Sequence, residues 1–148
     1  MFVSASEKQH GVVLRVGSGQ PTVVWQNNEL MNYFHTSVLV DGYLYGFHSL
    51  DHLSKNAFLK CVSFETGEVK WEQGGLGHGS LTVAGGRLLI IGEKGDLVVV
   101  DASPVAYHEL ARAKVLDGTC WTPPALCSGR IYCRNHRGDL LCLDAKAE

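Results

Sequence analysis

The chain has 148 residues, 45% of them hydrophobic and 19% charged, enough to bury a core and too apolar for a disordered polymer. Thirteen basic and fifteen acidic residues leave a net charge of −2 with no basic stripe, which argues against nucleic acid as a partner. The apolar runs are four to six residues long, far short of a membrane span, and Met1–Ala5 lacks the basic start and long apolar stretch of a signal peptide.

In chain order, Phe2-Val3-Ser4, Val12 to Val16 and Thr22 to Trp25 read as three strands. Val38 to Tyr45 then reads as a hairpin turning at Asp41-Gly42, followed by a strand at Leu59 to Ser63 and another at Val69 to Trp71 after the Thr66-Gly67 turn. A second hairpin at Thr82 to Leu89 turns at Gly85-Gly86. It leads through Gly95-Asp96 into Leu97 to Asp101 and a blurred strand between Tyr107 and Val115. A third hairpin at Ala125 to Tyr132 turns at Ser128-Gly129 and leads through Gly138-Asp139 into Leu140 to Asp144. No helix-period pattern of useful length appears.

The hairpin glycines Gly42, Gly86 and Gly129 are 44 and then 43 residues apart, a spacing that marks a repeat. From each hairpin glycine to the next strand takes 11 residues in the second and third copies but 17 in the first, so the first carries a six-residue insertion around His48 to Asn56. Four antiparallel strands per repeat of this length make one blade of a β-propeller. The expected fold is all-β: a partial propeller of about two full and two partial blades within one segment, residues 1–148. Its parts are a partial blade at 1–25, blades at 36–71 and 80–116, and a partial blade at 122–144. Half a ring exposes strand edges and apolar blade faces, so a homodimer or the remainder of a longer propeller is expected to complete it.

The five cysteines follow no metal spacing, and an odd number argues against a complete disulfide framework. Cys61 and Cys142 occupy equivalent repeat positions on apolar strands and are expected to be small buried hydrophobes. Trp25 and Trp71 are expected at strand ends as structural residues.

The phrase Leu59-x-Cys61-x-Ser63-x-x-Thr66-Gly67-x-x-x-Trp71 resembles the repeat of the pyrroloquinoline-quinone (PQQ)-like β-propellers. Thr66, Gly67 and Trp71 match it, whereas Cys61 and Ser63 replace the usual alanine and aspartate. Cys120-Trp121-Thr122-x-Pro124 and Ile131-Tyr132-x-Arg134-Asn135 are similar to the last blades of bacterial members. The resemblance implies a tryptophan docked against the neighbouring blade and a periplasmic or extracellular setting. Some members are quinone-dependent alcohol dehydrogenases and others are scaffolds that bind no quinone. The dehydrogenases resemble one another in an adjacent-cysteine disulfide and a calcium site of carboxylates and amides. This chain has no Cys-Cys dipeptide and no recognisable cluster of that kind.

Propeller topology sends the loops between second and third strands, and the connections between blades, to one face. That face collects His10, His35, His48, His52, His78 and His136, six of the seven histidines, with Asp51, Glu93, Trp121, Arg134, Asn135 and Arg137. Trp121 is either a stacking surface for a ligand or a plug packed between blades. Arg134-Asn135-His136-Arg137 suits an anionic ligand or acidic partner, or is a solvated loop. His48-x-x-x-His52 with Asp51 has ligand types that suit a transition metal, but only a helical turn would align them, and a solvated loop is the better reading. The expected ligand-binding set is His35, Trp121, Arg134, Asn135, His136 and Arg137, with no metal site. No nucleophile elbow or phosphate loop appears, and no catalytic set is assigned.

The leading functional expectation is a non-catalytic scaffold presenting this face to a protein or small ligand, without a cofactor. The alternative is a fragment of a PQQ-dependent alcohol dehydrogenase.

Overall fold

A computed structural model describes residues 1–5, 10–51 and 56–145. Every regular element in it is a strand, and the fourteen strands form four antiparallel sheets of three, four, four and three strands. The first sheet comprises β1 (Phe2–Ser4), β2 (Gly11–Arg15) and β3 (Thr22–Asn27). The second comprises β4 (Val38–Val40), β5 (Tyr43–Ser49), β6 (Ala57–Ser63) and β7 (Val69–Gln73). In the third are β8 (Ser80–Ala84), β9 (Arg87–Ile91), β10 (Asp96–Asp101) and β11 (Glu109–Lys114). The fourth holds β12 (Ala125–Cys127), β13 (Arg130–Arg134) and β14 (Leu140–Asp144). Each sheet is a meander in sequence order, as a propeller blade requires.

The hairpin turns explain the glycine phrase. Asp41 and Gly42, Gly85 and Gly86, and Ser128 and Gly129 all have positive φ, the conformation of a type I′ turn that matches strand twist. A second periodic device follows. The register between the last two strands slips at one place in each of the first three sheets, between Val13 and Leu14, Cys61 and Val62, and Val99 and Val100. Just beyond each slip, Trp25 pairs with Val13, Trp71 with Cys61 and Ala111 with Val99. These tryptophans therefore lie within β3 and β7, not at strand ends as expected, because the bulge absorbs the extra residue and the ladder continues.

The core sits between sheets. Leu30, Leu44 and Val62 pack against Phe2 and Trp25 between the first and second sheets. Tyr45, Phe47, Leu59 and Cys61 meet Leu81, Leu88, Ile90, Val98 and Val100 between the second and third. Leu89, Ile91 and Leu97 meet Cys120, Ile131 and Cys133 between the third and fourth.

Two expectations are corrected here. His48 is not in a loop: the insertion lengthens the β5–β6 ladder to Ser49 opposite Ala57, and His48 is buried within it, its Nδ1 accepting from the Met31 amide at 3.2 Å. The proposed partner His52 lies outside the described residues. Cys142 is exposed, unlike buried Cys61, because no sheet covers the outer face of the fourth.

Candidate functional site

Three inter-sheet connections, far apart in sequence, bring the chemistry together on the loop-rich face. The connection after β3 supplies Tyr33, Phe34 and His35. That after β7 supplies His78, just before Ser80 at the start of β8, and that after β11 supplies Trp121. The β9–β10 turn adds Glu93.

Phe34 and Trp121 stack with ring centroids 4.7 Å apart and planes 26° apart. Tyr33 meets Phe34 edge-on at 4.3 Å, and both flank the imidazole of buried His78, at 5.4 and 5.6 Å. Glu93 anchors the group from below: Oε2 accepts from the His78 amide at 3.1 Å, and Oε1 accepts from the Trp121 indole at 3.4 Å. Phe34 and Trp121 remain 48% and 45% exposed, so the stack offers an aromatic surface held by Glu93 and by the backbone of buried His78.

Beneath it, Ser80 is fully buried and its hydroxyl donates to the Trp121 carbonyl at 2.7 Å. With its proton so placed, Ser80 Oγ accepts from His35 Nδ1 at 2.8 Å. His35 is therefore the Nδ1–H tautomer, and its buried Nε2 has no hydrogen-bond partner in the described structure, as is also true of His78 Nε2. Burial pushes the His35 pKa down to about 4, so the ring is neutral at neutral pH. Ser80 is not arranged as a nucleophile: its oxygen is enclosed and its proton is held by a carbonyl.

The other expected site residues lie beside this cluster. Arg134 donates from Nε to Thr122 Oγ1 at 3.1 Å, which ties the end of β13 to the segment carrying Trp121. His136 docks on Thr119, its amide donating to the Thr119 carbonyl at 2.9 Å and its Nδ1 accepting from the Thr119 amide at 3.2 Å. Asn135 is buried. Its amide donates to Asp139 and the Asp117 carbonyl, and its oxygen accepts from the Arg137 and Asp139 amides, so it shapes the loop from inside. Arg137 is exposed at the loop tip.

Among the described residues, no three His, Cys, Asp or Glu side chains converge to hold a metal ion. Carboxylate–amide pairs include Asp139 with Asn135 and Asp51 with Asn56, each joined by a hydrogen bond from the amide nitrogen to the carboxylate, at 2.6 and 2.9 Å. The sequence reading placed His35 and Trp121 in the site but missed Phe34, Tyr33 and Ser80. The adjacent aromatics Tyr33-Phe34 in a polar connection were the signal that could have found the stack.

No family model matches the chain, and no curated protein matches it. Among solved structures, it is similar to a europium-containing methanol dehydrogenase, with a TM-score of 0.57 at 14% identity over 75% of this chain and 23% of that one. It is also similar to BamB from Moraxella catarrhalis, with a TM-score of 0.47 at 12% identity over 94% of this chain and 57% of that one. The chain thus spans about a quarter of the first neighbour's length. The resemblance to PQQ-like propellers holds at the level of the fold: an all-β, partial β-propeller of four sheets.

Proposed function

We propose that the chain is a binding or scaffold segment of a propeller whose loop face receives a protein or small ligand at the Phe34–Trp121 stack. The observation that carries this reading is the half-exposed stack itself. Two large rings stay in water while Glu93 and Ser80 fix the backbone and indole beneath them. Exposed aromatics on a rigid, polar-anchored base are the composition of binding hot spots, not of an ordinary loop. Arg134 and Arg137 at one side favour an acidic or carboxylate-bearing ligand. Asn135 and His136 act by holding the loop that carries them.

A peptide array scored against the folded chain tests this. Acidic peptides containing an aromatic or proline residue should bind, and Trp121→Ala should abolish binding while leaving the circular dichroism unchanged. Equal binding by Trp121→Ala, or none by the intact chain, sinks the reading. A quinone-dependent oxidoreductase would instead show dye-linked methanol oxidation after addition of PQQ, and such turnover would overturn the scaffold assignment.

A further inference from the structure

The repeat aligns the faces on which consecutive sheets meet. The second sheet presents Tyr45, Phe47, Leu59 and Cys61 to the third, and the equivalent positions Leu89, Ile91, Leu97 and Val99 of the third face the fourth. In the fourth sheet these positions are Tyr132, Arg134, Leu140 and Cys142, with Tyr132 directly opposite Cys142 as Tyr45 is opposite Cys61. The Tyr45–Cys61 pair is fully buried by the third sheet. Its copy is open: Cys142 is exposed and Leu140 is 70% exposed.

The other side of each junction repeats as well. Ile131, Cys133 and Leu143 of the fourth sheet pack back onto the third, and their counterparts in the first sheet are Met1, Val3 and Leu14. Val3 pairs with Val12, so Met1, Val3, Val12 and Leu14 share one apolar face. Met1 and Val3 are 60% and 46% exposed, and a cavity of about 290 Å³ opens beside Val3 and Val12. The chain therefore carries both halves of a junction that it already makes three times within itself.

We propose that the outer face of the fourth sheet, centred on Leu140 and the Tyr132–Cys142 pair, docks on the Val3–Val12 face of a second copy of this chain. The contact is head to tail and heterologous, so it leaves the reciprocal pair of faces to meet in the same way and close a ring. Two copies bring eight sheets, within the range of closed propellers. Closure covers the two apolar sheet faces that an open arc presents. Arg134, where Phe47 and Ile91 stand in the earlier sheets, keeps its guanidinium at the loop face through Thr122, so only its stem enters the junction.

Complementation between two faces tests this. Leu140→Glu damages the fourth-sheet face and Val3→Glu the first-sheet face. The wild-type chain should have dimer mass by light scattering, and each variant alone should be a folded monomer. A mixture of the two should form a heterodimer through the one intact junction, more weakly than wild type. Alkylation of Cys142, read by peptide mass, should slow with rising wild-type concentration but not in Leu140→Glu. A wild-type monomer with concentration-independent Cys142 labelling overturns the proposal. So does a dimer that survives both substitutions, folded variants that do not associate when mixed, or open polymers in place of a closed pair.

Discussion

The indole nitrogen of Trp71 donates a 2.8 Å hydrogen bond to the carbonyl of Ser103, in the turn that follows β10 of the next sheet. Trp25 does the same one repeat earlier, to Phe64 at 2.9 Å. Each tryptophan thus leaves its own outer strand and seals the outer end of the next inter-sheet core. The Trp71 ring lies between Tyr45 and Tyr107, at 5.9 and 5.8 Å. No such bolt joins the third and fourth sheets, where the equivalent residue, Ala111, is exposed.

Removing the bolt should separate ring burial from hydrogen bonding. Trp71→Phe keeps most of the packing and loses the donor, an expected cost of about 1 kcal/mol. Trp71→Ala also opens a cavity and should cost about 3 kcal/mol. Urea denaturation of both variants checks the difference; a Trp71→Phe variant as stable as wild type would mean the carbonyl contact contributes nothing, and equal losses would mean the ring packing adds nothing.

The missing bolt predicts a gradient of local stability. Amide hydrogen exchange should be fastest in β12 and β14, where burial is poor, and slowest in β6 and β9, which are enclosed between sheets. Uniform protection across the four sheets would contradict this account of how the sheets are joined.

Gly67 and Gly42 both have positive φ, at 76° and 84°, but only Gly67 is also crowded. A Cβ there would lie 2.6 Å from Asn27 Nδ2 and 2.9 Å from the Trp25 ring, whereas one at Gly42 meets open space. Gly42→Ala should therefore show only the backbone cost, about 1 kcal/mol. Gly67→Ala should exceed it by about 2 kcal/mol, since the first sheet must shift. Similar melting temperatures for the two variants would show that Trp25 does not rest on the Thr66-Gly67 turn.

Lys60 is buried, with Nζ 3.5 Å from Glu29 and 3.4 Å from Glu72. Both carboxylates are half-exposed, so the cation carries most of the desolvation cost. Lys60→Met is expected to be neutral or stabilising, whereas the double variant Glu29→Gln/Glu72→Gln strands the charge and should cost about 2 kcal/mol. Thermal melts decide it, and a destabilised Lys60→Met with a tolerant double variant would reverse the argument.

The turns were legible in the sequence because Asp41-Gly42, Gly85-Gly86 and Ser128-Gly129 impose a backbone geometry that few other residues adopt. What each strand faces was not legible. Cys61 and Cys142 share one local pattern, yet one is enclosed by the next sheet and the other is bare. His48 was misplaced because an insertion read as loop length was instead added as ladder, residue against residue, up to Ser49 and Ala57. The site shows the same limit. Phe34, His78 and Trp121 come from three connections, and only the radial arrangement of sheets makes them neighbours.

Two buried imidazoles should make stability fall on mild acidification. Burial lowers the pKa of His35 to about 4, with a contact to the His78 backbone and Glu93 opposing the fall and His78 adding to it. Burial likewise lowers that of His48 to about 4, with Lys60 adding to the fall and Glu29 and Glu72 opposing it. In the unfolded chain both groups titrate near 6.5. Below that pH the unfolded state binds protons that the folded state refuses. The stability from keeping these rings neutral is therefore full above about pH 6.5 and lost as pH falls toward about 4. The unfolding free energy from urea melts should drop between pH 7 and pH 5 by about 1 kcal/mol or more. His35→Asn and His48→Asn, whose amides can replace the Nδ1 contacts to Ser80 and the Met31 amide, should flatten that slope when combined. A slope unchanged in the double variant would assign the acid sensitivity to other groups.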